Sequence, residues 1–289
     1  MARTHPCEVS DALWKRIEPL IPARPPHPKG GRPAADDRQM FAAIISVLRT
    51  GIQWNVLPHE LGASSTVYDR FRWWESEGFF QRLWQGGLQE YDELQGIAWN
   101  WQSLDSSTVK APFAQAAVGP APTDRGKQGT KRSLLCDRRG IPLALLTLGA
   151  NRHDMKLVAA TVDAQSYERP EPTVEQPHNL CLDAGYDYDV IYADLYERGY
   201  EPHTRLNPKN HAWYWEALKQ HPAEPEPANS LEAPKQPRRW VVERLFSWLN
   251  RSRRLLIRWE KLSAPYEAFL KLACALICFH QCDRLSVFG

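Results

Sequence analysis

Three acidic residues that are far apart along the chain occupy positions suited to binding metal ions. Asp105 ends an apolar, aromatic segment over 96–105 that predicts a β-strand, and Asp183 ends a second short apolar strand over 178–183. Functional groups gather at the carboxyl ends of strands in α/β sheets, so we expect both carboxylates at one edge of a sheet. Glu243 is the third candidate.

A long helix is predicted over 240–258, and its pattern separates Glu243 from the apolar face. Residues such as Val242 and Leu245 would pack on the sheet, whereas Ser247 and Asn250 share the polar face with Glu243. A surface helix with Arg–Glu pairs would show the same pattern, and an aspartate begins many ordinary turns. Each acid is a weak signal alone, and the combination carries the prediction.

Carboxylates of this kind suit metal-assisted chemistry on a phosphodiester. The phosphodiester is negatively charged and repels its nucleophile, so cleavage needs cations that activate water and neutralise the departing oxygen. Two Mg²⁺ ions about 3.5–4 Å apart would do both, and Mg²⁺ prefers hard oxygen ligands. We therefore expect two Mg²⁺ ions at Asp105, Asp183 and Glu243, with Mn²⁺ equally acceptable to oxygen ligands.

Bulk composition limits the class of protein only loosely. The chain has 289 residues, enough for one large domain or two modest ones, and a net charge of only +2. The charge is uneven, because 238–258 carries seven arginines and one glutamate, whereas 221–237 is acidic, rich in proline and predicted to be a flexible loop. No apolar run reaches about 18 residues and no signal peptide is recognisable, so we expect a cytoplasmic protein and no membrane span.

The six cysteines form no C-x-x-C pair. Cys274, Cys278 and Cys282 repeat every four residues, which puts them on one helix face. Such a stripe predicts a buried apolar helix over 266–285 more readily than a soft-metal site.

The first part of the chain predicts an all-helical domain over 1–95. Helices are expected over 11–20, 37–49 and about 64–77, the last opening with Thr66 and Asp69 spaced as a capping box. A short turn at 54–62 precedes the last of these helices, which is the outline of a helix-turn-helix. A plain helical bundle with solvated arginines is the alternative. On the first reading, DNA would be contacted by Tyr68, Arg70 and Arg72.

The second part, 96–289, changes to strand periodicity. After the strand that ends at Asp105, a loop is expected over 112–130 and a hairpin over 131–148, followed by a helix capped by Asp154. The strand ending at Asp183, a helix over 187–198 and a strand over 200–205 follow. Hairpin-linked strands followed by alternating strands and helices predict a mixed sheet flanked by helices, an order that resembles a ribonuclease H-like fold.

Three blocks of the chain resemble the DDE transposases of bacterial insertion sequences, in their insertion-sequence-five family. The blocks run over 104–109, 182–187 and 239–244, and further similar stretches lie at 51–54 and 149–154. The resemblance implies a ribonuclease H-like catalytic core with two divalent metals and an N-terminal helical region that binds the ends of the element. It assigns the three family acids to Asp105, Asp183 and Glu243.

The same resemblance implies an arginine four residues before the glutamate, which Arg239 supplies. The tyrosine and lysine of related motifs are replaced by Gln236 and Asn250. Arg251, Arg253 and Arg254 are the candidates to replace the missing lysine in binding phosphate. Together with the helical residues above, the expected DNA contacts are Tyr68, Arg70, Arg72, Lys127, Lys131, Arg239, Arg251 and Arg254.

A DNA transposase is therefore the expected function. It would hydrolyse a phosphodiester at the transposon end and join the freed 3′-hydroxyl to target DNA. Its partners would be double-stranded terminal inverted repeats and target DNA, bound by a homodimer or larger assembly associated with the nucleoid. Two alternatives stay open at this point, namely a ribonuclease H-like nuclease without strand transfer and a domesticated DNA-binding protein that has lost catalysis.

Overall fold

A mixed sheet organises the second part of the chain. The computed structural model describes residues 9–24, 34–205, 207, 209–210 and 240–288. The sheet has the strand order β4–β3–β1–β5–β6, and the two-residue β2 pairs with the start of β3. The strands are β1 (Trp101–Lys110), β2 (Gly119–Pro120), β3 (Gln128–Asp137), β4 (Pro142–Gly149), β5 (His178–Cys181) and β6 (Tyr200–His203).

The pairing directions confirm the ribonuclease H-like prediction. Strands β1, β3 and β4 are antiparallel neighbours, whereas β5 and β6 run parallel to β1 on its other side. The β3–β4 hairpin is confirmed, and its buried Asp137 carboxylate accepts hydrogen bonds from the backbone N–H of Arg139 and Ile141 at 2.9 Å each. This carboxylate satisfies the donors of the turn that holds the two strands together.

Strand β1 differs from the prediction, because Asp105 lies inside it and not at its end. Strand β3 pairs with β1 as far as Lys110, opposite Gly129, and this pairing keeps the chain extended past the acid. On the other side, β5 pairs with β1 only as far as Ser103. Asp105 therefore lies where the parallel neighbour has just ended.

Helices cover the sheet and form the first part of the chain. They are α1 (Asp11–Ile17), α2 (Asp37–Thr50), α3 (Ser64–Ser76), α4 (Phe79–Gln95), α5 (Val158–Asp163), α6 (Asp189–Glu197), α7 (Trp240–Asn250) and α8 (Ser263–Phe288). Helix α4 was not among the predicted elements. The capping box predicted for α3 is wrong, because Ala63 is its N-cap and no side chain caps it.

The C-terminal helix α8 is buried, as its composition predicts. Cys274, Cys278 and Cys282 all lie in the core. Helix α4 approaches α8 closely at Gly87, where an added Cβ would lie 3.0 Å from the Cβ of Cys278. One continuous apolar core joins the helical region and the sheet.

Two further predictions need correction, and one lies outside the described residues. The helix of Glu243 ends at Asn250 and is followed by a 3-10 turn at Arg253–Leu255, so it does not continue to 258. His153, and not Asp154, caps the 3-10 turn before α5. The predicted flexible loop at 221–237 lies outside the described residues, among which no helix is long and apolar enough to cross a membrane.

Candidate active site

The pairing of β1 with β5 ends two residues before Asp105 and two residues before Asp183. Cys181 at the end of β5 is the partner of Ser103 in β1, so the second residue after each is Asp183 and Asp105, respectively. Neighbouring strands lie about 4.8 Å apart, and residues two apart share a face. Each carboxylate accepts a hydrogen bond from the backbone N–H of the next residue, at 2.7 Å from Ser106 and 2.6 Å from Ala184.

Helix α7 covers the face of the sheet on which Asp105 lies. Ser107, two residues after Asp105, accepts a hydrogen bond from Nη2 of the buried Arg132 at 3.0 Å. The same guanidinium donates to Oδ1 of Asn250 at 3.2 Å and lies over the ring of Phe246, both in α7. Arg132 therefore links β1, which carries Asp105, to α7, which carries Glu243.

Glu243 is exposed on one flank of α7. The other flank faces the β3–β4 turn, where Arg244 donates to the backbone carbonyl of Arg139 and Trp248 lies near Gly140. At about 100° per residue, Glu243 and Asn250 lie on the flank away from that turn. Glu243 therefore lies on a different flank of α7 from the side chains that contact the β3–β4 turn.

A fourth acid, Asp154, contacts Ser106, the residue after Asp105, and was not singled out as a site residue. Its carboxylate accepts a hydrogen bond from Ser106 Oγ. Lys131 Nζ lies 2.7 Å from Asp154 Oδ1 and also donates to the backbone carbonyl of Arg152 at 2.7 Å. The block 149–154 that resembles the family ends in this residue, and that was the available signal.

Negative charge is concentrated around the buried side chain of Tyr186. Burial, followed by the charges of Asp105, Asp154 and Asp183, raises the pKa of its hydroxyl far above the usual range. Three of the four acids therefore lie close enough to act on one phenol. Among the residues that the structure describes, however, no three His, Cys, Asp or Glu side chains are arranged to hold a metal ion. The site built from Asp105, Asp183 and Glu243 stays a prediction.

Three of the expected DNA contacts are buried and paired within the protein. Arg70 is 3% exposed and forms an ion pair with Asp37. Lys131, 8% exposed, binds Asp154, and Arg254, 6% exposed, binds Glu260 with 2.7 Å between Nε and Oε1. Their cationic groups are not available to a DNA strand in this structure, because each completes an internal pair.

The other expected contacts lie nearer the surface. Tyr68 and Arg72 lie on α3, Tyr68 being exposed and Arg72 partly exposed, with Arg72 Nε 3.4 Å from Glu75 Oε2. Lys127 and Arg251 are exposed. Arg239 lies outside the described residues. The DNA-contacting role of these residues stays a prediction.

Comparison with known families matches nearly the whole chain in two parts. Residues 102–278 match the family described as "Transposase DDE domain", and residues 9–84 match one described as "Putative transposase of IS4/5 family". A curated relative, "Putative transposase for insertion sequence element IS402" from Burkholderia cepacia, is 33% identical over 60% of this chain and 73% of its own length.

Other similarities are weaker. An "Insertion element IS402 uncharacterized 16.2 kDa protein" of the same organism is 34% identical over 39% of this chain and 80% of its own length. The solved "Mos1 mariner paired end complex with Mn" is 13% identical, with a TM-score of 0.27 over 92% of this chain and 85% of that chain. That overlap is too low to support an argument. On the family matches and the IS402 relative, the chain belongs to the DDE transposases of the IS4/IS5 family, DNA-cleaving and DNA-joining enzymes that use divalent metal ions.

Proposed function

We propose that this DNA transposase cleaves the ends of its insertion element and joins them to target DNA with Asp105, Asp183 and Glu243. The observation that supports this site is the register of β1 and β5, whose last paired residues, Ser103 and Cys181, lie two residues before Asp105 and Asp183. Glu243 is exposed on α7, on the flank away from the β3–β4 turn. The three residues are also those that match the acidic blocks of the family.

The two aspartates fit a divalent cation by their chemistry and position. They are hard oxygen donors. Asp105 lies inside β1 and Asp183 follows β5 by two residues, and both carboxylates contribute to raising the pKa of the Tyr186 hydroxyl, after burial. A divalent cation bound here would activate water and offset the charge on the departing oxygen. We propose two Mg²⁺ ions, with Mn²⁺ as a substitute, which Asp105, Asp183 and Glu243 would hold.

The proposed reaction has two steps, and each is a substitution at phosphorus. In the first, a water oxygen bonds to the phosphorus at the transposon end, and the 3′-oxygen leaves with the bonding electron pair and takes up a proton. In the second, the freed 3′-hydroxyl loses its proton and bonds to a phosphorus of target DNA, whose own 3′-oxygen leaves. Ser106, Asp154 and Lys131 would keep β1 in place around Asp105 during both steps.

The DNA partners proposed are the terminal inverted repeats and the target duplex. Tyr68 and Arg72 on α3 are proposed to touch the element's end, whereas Lys127, Arg239 and Arg251 would hold phosphates. Two ends must be cut together, so we propose a homodimer or larger assembly on DNA, acting in the cytoplasm at the nucleoid. The division into 1–95 and 96–289 is likewise proposed, and the family matches to 9–84 and 102–278 support it.

The test replaces each acid by its amide. Asp105→Asn, Asp183→Asn and Glu243→Gln are expected to lower donor-end cleavage by more than about 100-fold, beyond the effect typical of residues that only support metal ligands. Asp189→Asn is the matched control, because Asp189 is an exposed acid at the start of α6, only six residues after Asp183. Cleavage of labelled end DNA is followed in single turnover, and end binding is measured separately by gel shift.

The outcomes separate the alternatives. Near wild-type cleavage by one amide variant, with Asp189→Asn also active, would remove that acid from the site. Wild-type cleavage without joining of a pre-cut 3′-hydroxyl end would indicate a nuclease. End binding without any metal-dependent nicking would indicate the domesticated, inactive form.

A further inference from the structure

A cleft with several cationic side chains and no assigned role lies between the end of α2, the end of α7 and α8. Its volume is about 400 Å³. Arg49 contributes from the last turn of α2, Arg251 from the residue after α7, and His280 and Arg284 from α8. These four residues, here called the arginine cleft, are all exposed.

No acidic side chain among the described residues lines the arginine cleft to neutralise its positive charge. Trp248, Leu276 and Ile277 also line it. Elsewhere arginines face carboxylates, as Arg198 does with Asp163. Within the part of the chain that the structure describes, no ion pair involves Arg49, Arg251 or Arg284.

Three guanidinium groups around one opening repel each other, and a ligand that carries several negative charges would relieve that repulsion. The planar fork of arginine matches the oxygen geometry of phosphate. The net charge of the whole chain is only +2, so three arginines around one cleft are a local concentration of positive charge. A row of phosphodiesters provides the complementary charge, and this protein's family acts on DNA.

The position of the cleft separates it from the proposed cleavage site. Trp248 reaches the cleft from the flank of α7 that also carries Arg244, whereas Glu243 lies about 140° away around the helix. The cleft would then hold a phosphate other than the scissile one.

We propose that the arginine cleft binds the phosphodiester backbone of duplex DNA away from the scissile bond. The inference rests on the proposed function only in taking DNA as the substrate. It does not depend on which residues cut. The arginine cleft would be a second DNA contact, in addition to the proposed end-recognition surface on α3. It would bind the backbone of a duplex irrespective of its sequence.

The test compares two double variants that remove the same charge. Arg49→Gln/Arg284→Gln removes two cations from the cleft. Lys15→Gln/Arg138→Gln removes two cations that lie outside the cleft, in α1 and in the β3–β4 turn. Fluorescence anisotropy with a labelled random-sequence duplex measures affinity over a salt series, and thermal melting checks the fold.

The slope of log K against log salt is negative, and each lost phosphate contact reduces its magnitude by about 0.9. The cleft variant should therefore lose about 1.8 in slope and bind about 30-fold more weakly at about 0.15 M salt. The control should keep the wild-type slope. Arg49→Lys/Arg284→Lys should also keep it, because lysine retains the charge at both positions.

Three results would overturn the proposal. They are an unchanged slope in the cleft variant, an equal loss in the control, and a loss of slope in a lysine variant that melts like the wild type, because that loss could not come from a change in charge. If millimolar inorganic phosphate bound to the cleft and the cleft variant kept the wild-type salt slope, the cleft would be a site for a small anion and not for DNA. Binding of duplex DNA by Asp105→Asn is measured in parallel. Its cleavage activity then tests the catalytic assignment, whereas the salt slope of the cleft variant tests the proposed DNA contact.

Discussion

The buried pair Arg254–Glu260 allows a structural role to be separated from a DNA-binding role. Both side chains are nearly inaccessible, at 7% and 6% exposure, and Nε lies 2.7 Å from Oε1. Nη1 of Arg254 also donates to the backbone carbonyl of Ile52 at 3.1 Å, and the guanidinium lies over the ring of Phe269. The pair therefore links the segment after α7 to the segment after α2 and to α8.

Replacing one partner leaves the other charge buried without compensation. Such a loss costs about 3–5 kcal/mol in the free energy of unfolding. Arg254→Met keeps much of the aliphatic stem, so lost packing contributes little to the change. At about 2–4 °C per kcal/mol for a chain approaching this size, the melting temperature should fall by about 6–20 °C.

The double variant Arg254→Met/Glu260→Leu completes the cycle. Replacing both members of a buried pair by apolar side chains is often neutral or stabilising, because neither charge then needs to be desolvated. We therefore expect the double variant to melt closer to the wild type than either single variant does. Urea unfolding and thermal melting give the stabilities, and the coupling free energy follows from the four values.

DNA binding decides between the two roles. If Arg254 serves the buried pair, the folded Arg254→Met protein keeps the wild-type salt slope for duplex DNA. A melting temperature near the wild-type value, together with a slope reduced by about 0.9, would refute the reasoning. That result would return Arg254 to the set of phosphate contacts.

The remaining predictions concern Asp154 and His178. Asp154→Asn should lower donor-end cleavage by about 10–100-fold while DNA binding is kept, because Asp154 accepts a hydrogen bond from Ser106, the residue after Asp105, and pairs with Lys131. Single-turnover kinetics measure this, and unchanged cleavage would exclude the role. Burial, followed by the charge of Arg169, lowers the pKa of His178 below its ordinary value of 6.5. Below pH 6.5 the unfolded state takes up a proton that the folded state does not yet bind, so stability present above pH 6.5 should be lost as the pH falls from 6.5 through the lower pKa of the folded state. His178→Phe, between the rings of Trp99 and Tyr200, should weaken this dependence in urea unfolding at several pH values; an identical pH profile would contradict it.

Periodicity predicted the sheet well because its strands are chemically distinct from the helices. The β3–β4 hairpin is set by apolar runs around a turn, and the order of strands and helices restricts the topology. The end of β1 could not be predicted in this way. Asp105 lies inside a strand that continues because β3 pairs with it as far as Lys110, and that partner is about twenty residues away along the chain.

The helical region was predicted less completely. Helix α4 was missed, although Leu83, Trp84 and Leu88 in it are buried at helical spacing. The capping box at Thr66 and Asp69 was an overinterpreted local motif, since the helix already begins at Ser64. The position of Asp154 depends on a contact with Ser106 across 48 residues, which no window of sequence displays.

The distribution of arginines shows why composition was a poor guide to the DNA surface. The run over 238–258 suggested one basic helix, but Arg254 and Arg258 turn inward. Arg258 is fully buried and donates to Thr130 Oγ1 at 2.8 Å and to the backbone carbonyl of Ala117 at 3.1 Å.

A buried guanidinium is tolerated only where acceptors meet it, because its desolvation is costly. Those acceptors come from distant parts of the chain, as Thr130 does for Arg258. Arginines without such acceptors remain at the surface, and Arg49, Arg251 and Arg284 are brought together there from α2, the end of α7 and α8. Among the residues that the structure describes, buried arginines such as Arg254 and Arg258 are thus distinguished from these surface arginines by the tertiary structure and not by the local sequence.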